Sequence, residues 1–214
     1  GSKIRVRRAA KNPVIGRVKI LIDCSISMGD GRNSLMERSK KYVKGFLDSA
    51  AGRSDIEVSL YAFGASLHHD RKGRPTVRST LLSGWGRVNG QDDVWKYQAN
   101  GQRLDSSTKV GFITAVDQLK AYGETPILAA LDLALKENVD GKSQLLVLLT
   151  DGFEFSKETG KPLPRPFNSP KRYEKIHDQL KESSTELVIF NMTSVDVDPN
   201  RPDDLTPKQL KKLE

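Results

Sequence analysis

Five side chains with hydroxyl or carboxylate groups lie beside the ends of predicted strands or at the start of a predicted helix. They are Asp23, Ser25, Ser27, Thr125 and Asp151. Hydroxyls and carboxylates are hard ligands, which suit Mg²⁺ or Mn²⁺ better than Zn²⁺ or Cu²⁺. Together they fill most of an octahedron, some directly and others through water, and leave a position for an oxygen atom of a partner. We therefore expect a Mg²⁺ site, with Mn²⁺ or Ca²⁺ as alternative ions.

Two apolar runs determine where these residues should lie in the fold. Residues 18–22 are a short β-rich run, and residues 144–152 begin as a near-continuous apolar strand. A run of the second kind is typical of the middle of a parallel sheet that is covered on both faces. Ligands of open α/β sheets bind outside the carboxyl ends of the strands. Asp23 and Asp151 are therefore expected at the binding edge of the sheet.

Strands and helices alternate along the sequence. Strands are predicted at residues 18–22, 55–63, 76–82, 144–152 and 186–192, and helices at residues 34–51, 106–122, 124–135, 171–181 and 206–213. Pro126 is expected in the first turn of its helix, where proline loses no hydrogen bond. The alternation predicts an α/β fold with a Rossmann-like, doubly wound, mostly parallel central sheet and helices on both faces.

Three short motifs resemble those of the von Willebrand factor type A (vWA) domain. They are Asp23-x-Ser25-x-Ser27, Thr125-Pro126 and Thr150-Asp151-Gly152, in the family's order over roughly residues 17–200. The resemblance implies a metal-ion-dependent adhesion site, in which the serines and the threonine coordinate Mg²⁺ and the aspartates act directly or through water. One departure is Ile26, since the family usually has glycine there and a glycine-only backbone conformation would be strained.

The resemblance implies a protein-interaction module rather than an enzyme, with an Asp or Glu of the protein partner completing the metal's ligand shell. One alternative is an accessory vWA subunit of a chelatase or an AAA+ ATPase machine. Another is a Mg²⁺-dependent phosphotransfer or hydrolase enzyme on the same fold. The enzyme alternative lacks sequence support, because there is no glycine-rich phosphate loop and no Ser–His pairing.

The net charge of +8 is unevenly distributed. Residues 1–22 contribute +7 and residues 68–109 contribute +4, so the remainder of the chain sums to −3. The body of the domain therefore offers no uniformly basic surface for nucleic acid. We divide the chain into a basic N-terminal arm, 1–16, and a vWA-like domain, 17–214, with a glycine-rich insertion at about 67–105. The start of the arm, residues 1–2, resembles a tag remnant, and residues 4–6 are a candidate edge strand.

The expected location is the cytoplasm, because the single cysteine, Cys24, fits a reducing compartment. The sequence contains no run of 18 apolar residues that could span a membrane and no signal peptide at its start. Gly1 and Ser2 could however replace a natural leader or flanking domain, so export is the alternative.

Several further residues could have a functional role, but we expect a structural role for them. Cys24 is expected to pack in the core, His68 and His69 to lie in a solvated turn, and His177 to lie on a helix surface. The aromatic residues of the insertion, Trp85, Trp95 and Tyr97, either form a contact surface or hold a long loop against the body, and we favour the second. The proline-rich segment 160–167 is expected to be a stiff loop bordering the metal site.

Overall fold

The computed structural model describes residues 16–29, 31–52, 56–64, 84–88, 94–121, 125–137, 144–152 and 170–192. The strands are β1 (Arg17–Asp23), β2 (Glu57–Phe63), β3 (Trp85–Val88), β4 (Val94–Arg103), β5 (Gln144–Thr150) and β6 (Thr185–Asn191). The α-helices are α1 (Leu35–Ala50), α2 (Ser106–Asp117), α3 (Ile127–Lys136) and α4 (Pro170–Glu182). None of the described helices is long and apolar enough to cross a membrane.

The six strands form one sheet in the order β3-β4-β2-β1-β5-β6. β1 pairs in parallel with both β2 and β5, and β6 pairs in parallel with β5. β4 is antiparallel to β2, and β3 is antiparallel to β4. Because β2 lies on one side of β1 and β5 on the other, the direction of winding reverses beside β1, which is where open α/β sheets form their binding crevice.

Helices cover the two faces of the sheet in pairs. Ile20 of β1 belongs to one core cluster with Val43 of α1 and Phe112 of α2. The next residue, Leu21, points to the opposite face and belongs to a second cluster with Leu131 of α3. This alternation requires apolar residues at successive positions of the central strands, which explains the continuous apolar runs in the sequence. The predicted doubly wound α/β fold is confirmed.

The glycine-rich insertion differs from its prediction. Residues 84–88 and 94–103 carry a pair of antiparallel strands, β3 and β4, where the sequence indicated only one strand near residues 76–82. The predicted strand 76–82, the predicted helix 206–213 and arm residues 1–15 lie outside the described residues. Pro126 occupies the N-cap of α3, one position before the predicted first turn. The proposed domain boundaries stay a prediction.

A buried lysine network closes the carboxyl end of α3. Lys19, only 4% exposed, donates from Nζ to the carbonyl oxygen of Ala134 at 2.5 Å. The Lys96 ammonium lies 2.6 Å from a carboxylate oxygen of Glu137, which also accepts a hydrogen bond from the Tyr61 hydroxyl. Lys19 therefore satisfies a carbonyl in the last turn of α3, and Lys96 neutralises Glu137, the acid that follows the helix.

Replacing Lys19 by methionine is expected to remove the pH dependence that this buried ammonium gives to the free energy of unfolding. Burial lowers the pKa of Lys19 to about 8, so the folded state loses this proton more readily than the unfolded chain, whose pKa is near 10.5. Between pH 8 and 10.5 the unfolded state therefore binds more protons than the folded state. The free energy of unfolding of the wild type should rise with pH across that interval. Urea unfolding against pH should show this rise in the wild type and not in Lys19→Met. A variant of an exposed lysine, Lys41→Met, serves as the control; equal pH profiles for all three proteins would contradict the prediction.

Candidate metal centre

Asp23 ends β1 at the carboxyl edge of the sheet, at the point where the winding reverses. The register pairs Ile22 with Leu149, so the next residues along the two strands, Asp23 and Thr150, are neighbours. On the other side of β1, Cys24 N donates to the carbonyl oxygen of Phe63 at 2.8 Å. The start of the Asp-x-Ser-x-Ser loop is therefore held by both adjacent strands.

Local hydrogen bonds shape the loop that follows Asp23. The backbone N–H of Ser25 donates to Asp23 Oδ1 at 2.8 Å, which closes a turn of the kind that aspartate side chains favour. A short 3₁₀ helix, Ile26–Met28, comes next, and Gly29 ends it at a φ of 68°, which favours glycine. The motif residues thus lie in one compact turn.

The two serine hydroxyls are brought together by this turn. Ser25 Oγ and Ser27 Oγ are 3.0 Å apart, with Ser25 buried and Ser27 exposed. Two neighbouring ligands of an octahedral Mg²⁺, each about 2.1 Å from the ion, would be about 3.0 Å apart. The observed spacing therefore suits Mg²⁺ and also permits a hydrogen bond between the hydroxyls.

Asp23 is a fully buried carboxylate beside a second acid. Burial raises its pKa to about 6, hydrogen bonds from Ser25 and Thr150 oppose the rise, and the charge of Asp151 adds to it. Within the described ranges, no lysine or arginine forms an ion pair with either aspartate. A divalent cation at this position would offset the unfavourable charge.

Topology places Thr125 at the same edge. The carboxyl end of α3 lies at the level of Lys19, whose ammonium contacts Ala134 O. α3 has ten residues and is about 15 Å long, while Lys19 and Asp23 are about 13 Å apart along β1. Because α3 leads into a strand parallel to β1, it runs back across the sheet and begins near the level of Asp23. Thr125, half-buried, immediately precedes this helix.

Asp151 follows the last residue of β5 and is half-buried. Its charge contributes to the raised pKa of Asp23, so the two carboxylates lie close enough to interact. Gly152 follows with a φ of 120°, a conformation that side chains rarely adopt, so the chain turns away directly after the acid. Asp151 therefore lies near Asp23, while Thr125 is placed at this edge by the sheet topology; that the five residues bind one metal ion stays a prediction.

The structure also shows a contact that the motif did not indicate. The buried Thr150 hydroxyl lies 2.6 Å from Asp23 Oδ2. No signal within either segment reveals this pairing, because it depends on β5 lying next to β1. Among the described residues no group of three or more His, Cys, Asp or Glu could hold a metal ion, so metal binding here would depend on hydroxyl ligands.

Ile26 does not adopt the glycine conformation that its position suggested. Its φ is not positive, and its side chain is 74% exposed next to the two serines. The expected strain is therefore absent. An exposed aliphatic side chain instead borders the hydroxyl pair.

The other singled-out residues behave as structural elements where they are described. Cys24 is a buried free cysteine in the core. Trp85, Trp95 and Tyr97 are each at most 8% exposed and belong to the core cluster under α1 and α2, which confirms that they hold the insertion against the body. His177 is exposed on α4. His68, His69 and segment 160–167 lie outside the described residues.

Known structures share this architecture. A von Willebrand factor type A protein from Catenulispora acidiphila superposes with a TM-score of 0.53 over 82% of this chain and 32% of its own, at 17% identity. The chain has a vWA-type fold. The pilus adhesin SpaC from Lactobacillus rhamnosus GG gives a TM-score of 0.54 over 85% of this chain and 24% of its own, at 15% identity. A mutant of the PilB minor pilin from Streptococcus sanguinis gives a TM-score of 0.53 over 88% of this chain and 53% of its own, at 13% identity.

The vWA-type fold accounts for only part of each of these structures, since the chain spans between about a quarter and a half of their lengths. No protein-family model matches the sequence, and no curated protein is similar to it. At these identities the similarity concerns the fold.

Proposed function

We propose that this vWA-type domain binds a protein partner through Mg²⁺ held by Asp23, Ser25, Ser27, Thr125 and Asp151. The single observation that carries the proposal is the hydroxyl pair of Ser25 and Ser27, 3.0 Å apart beside a buried carboxylate that no described cation neutralises. A hard divalent ion would satisfy both features. Mn²⁺ and Ca²⁺ are the alternative ions.

The partner's contribution would be the carboxylate of an Asp or Glu. The sheet topology supports a position of the beginning of α3 at this edge, and the positive end of a helix favours an incoming anion. Ser27 and Ile26 are exposed at the same edge, so an acidic side chain can approach the hydroxyl pair from solvent. Bound Mg²⁺ would supply the charge that attracts that carboxylate.

The named neighbours support an interaction role over an enzymatic one. They include a pilus adhesin and a minor pilin. If the partner were an AAA+ ATPase or a chelatase, the metal chemistry would be the same. Only the protein that supplies the carboxylate would differ. The pilus proteins also make an exported location the alternative to the cytoplasmic one.

A capture experiment with matched controls tests the proposal. The immobilised wild-type domain and Asp23→Asn are exposed to an extract of the source cells, each with Mg²⁺ and with a chelator. We expect a protein retained only by the wild type with Mg²⁺, and we expect a carboxylate-to-amide variant of that purified protein to lose binding. Retention that is indifferent to the chelator and to Asp23→Asn would refute the proposal.

A further inference from the structure

Thr150 is buried to 1% exposure at the last position of β5, and its hydroxyl has two partners. Thr150 Oγ1 lies 2.6 Å from Asp23 Oδ2, and the backbone N–H of Gly152 donates to the same Oγ1 at 3.2 Å. The carbonyl oxygen of Thr150 accepts a hydrogen bond from Met192 N at 2.7 Å. The side chain is therefore fixed by β1 and by the turn after β5, and the backbone of Thr150 is held by the residue that follows β6.

The direction of the short hydrogen bond follows from counting protons. A hydroxyl carries one proton, and Gly152 N–H already uses one of its acceptor lone pairs. An ionised Asp23 can only accept, so the Thr150 proton must point to Oδ2. Ser25 N–H fixes the other oxygen, Oδ1. Both oxygens of the buried carboxylate are thus oriented, one from each side of the site.

We infer that Thr150 is a positioning residue that holds the Asp23 carboxylate in register with the serine hydroxyls for metal binding. The inference rests on the proposed function, since it assigns Thr150 a role in that same site. In this proposal Thr150 acts on the metal site through Asp23, to which its proton is directed. Its bond to Gly152 N also ties Asp23 to the turn that carries Asp151, so one hydroxyl aligns both acids.

The test compares Mg²⁺ affinity, measured by calorimetry, in the wild type, Thr150→Val and Thr150→Ser. Valine keeps the shape without the hydroxyl, whereas serine keeps both hydrogen bonds. Loss of an outer partner of a metal ligand typically weakens binding about 10- to 100-fold, which is the expectation for valine. Serine should restore affinity to within about threefold of the wild type, since the donor is retained.

A control variant on the same strand distinguishes an effect on metal affinity from an effect on folding stability. Leu146→Val shortens a fully buried side chain of β5 away from the carboxyl edge and should lower the melting temperature without changing Mg²⁺ affinity. Equal affinity of wild type and Thr150→Val would overturn the inference. So would a loss that tracks melting temperature across all variants, with no rescue by serine. If valine prevents folding, Thr150→Ala takes its place.

A second readout distinguishes failure of this inference from failure of the proposed function. The orientation of the Asp23 side chain in metal-free Thr150→Val can be determined by crystallography. A rotated carboxylate supports the positioning role even if the wild type binds no Mg²⁺, a result that would refute only the proposed function. An Asp23 side chain that keeps its wild-type orientation without the Thr150 hydroxyl overturns the inference.

Discussion

Replacing Asp23 by asparagine is expected to weaken Mg²⁺ binding at least about 100-fold and, at the same time, to stabilise the metal-free protein. The amide keeps the shape of the buried side chain and can still accept from Ser25 N. It removes the negative charge that the ion would neutralise. Unfolding measured with and without Mg²⁺ should show stabilisation by the ion in the wild type and almost none in the variant.

The gain in metal-free stability follows from the raised pKa of Asp23. The folded-state value is about 6, chiefly because of burial, against 3.8 in the unfolded chain. The protonated, neutral Asp23 contributes its full stabilisation at pH values below the pKa of the unfolded state. This contribution is lost as the pH rises through the pKa of the folded state. Metal-free wild type should therefore lose stability between about pH 4 and 6.5, and Asp23→Asn should exceed it by about 2 kcal/mol at neutral pH.

The matched control is Asp48→Asn, which removes one exposed acid on α1 that pairs with Lys109 at 3.0 Å. An exposed pair of this kind contributes little, so this variant should keep both Mg²⁺ binding and the wild-type pH profile. If Asp23→Asn lowered metal-free stability at neutral pH, the electrostatic account of the site would be wrong.

Replacing Trp85 by alanine is expected to destabilise the protein by about 3–5 kcal/mol, the usual cost of removing a large core side chain. The indole is 8% exposed and donates from Nε1 to the carbonyl oxygen of Ala115 at 3.3 Å. Its ring packs against Tyr97 with centroids 5.6 Å apart, and Tyr97 in turn packs against Phe112 at 5.7 Å. Removing it opens a cavity between the insertion and α2. Equilibrium unfolding in urea measures the loss.

Two further variants serve as controls for the Trp85→Ala measurement. Trp85→Phe keeps most of the packing but loses the hydrogen bond, so it should lie between wild type and alanine. Val110→Ala, at a residue that is 62% exposed on α2, should leave stability nearly unchanged. A Trp85→Ala protein as stable as the wild type would contradict the core assignment and favour the aromatic residues as a contact surface instead.

The central elements could be predicted because their sequence signals are local. β1 and β5 are apolar on both faces, and α1 begins at Leu35 after the N-cap Ser34, whose side chain accepts from Glu37 N. Such patterns require no knowledge of the neighbours. The Asp23 loop is equally local, since its turn is closed by a backbone N–H two residues away.

β4 was missed because it carries a charged residue on a buried face. Lys96 lies on the face opposite Trp95 and Tyr97, is 8% exposed, and pairs with Glu137, far along the chain. A bend follows at Gln98, which has a φ of 51°. A sequence window cannot reveal a partner 41 residues away, so the segment had the appearance of an irregular loop.

The contact between Asp23 and Thr150 could not be predicted for a related reason. The two residues are separated by 127 positions and meet only because β5 is placed next to β1 rather than at the sheet's far side. The motif indicated which residues could bind a metal. The strand order determined which side chain orients them.

Calorimetric titration of Mg²⁺ into the metal-free wild-type domain, beside Asp23→Asn, tests the central claim most directly. The account predicts one Mg²⁺ per wild-type chain with saturable binding, and no measurable binding by the variant over the same millimolar range. No binding by the wild type, or the same isotherm for both proteins, would contradict it.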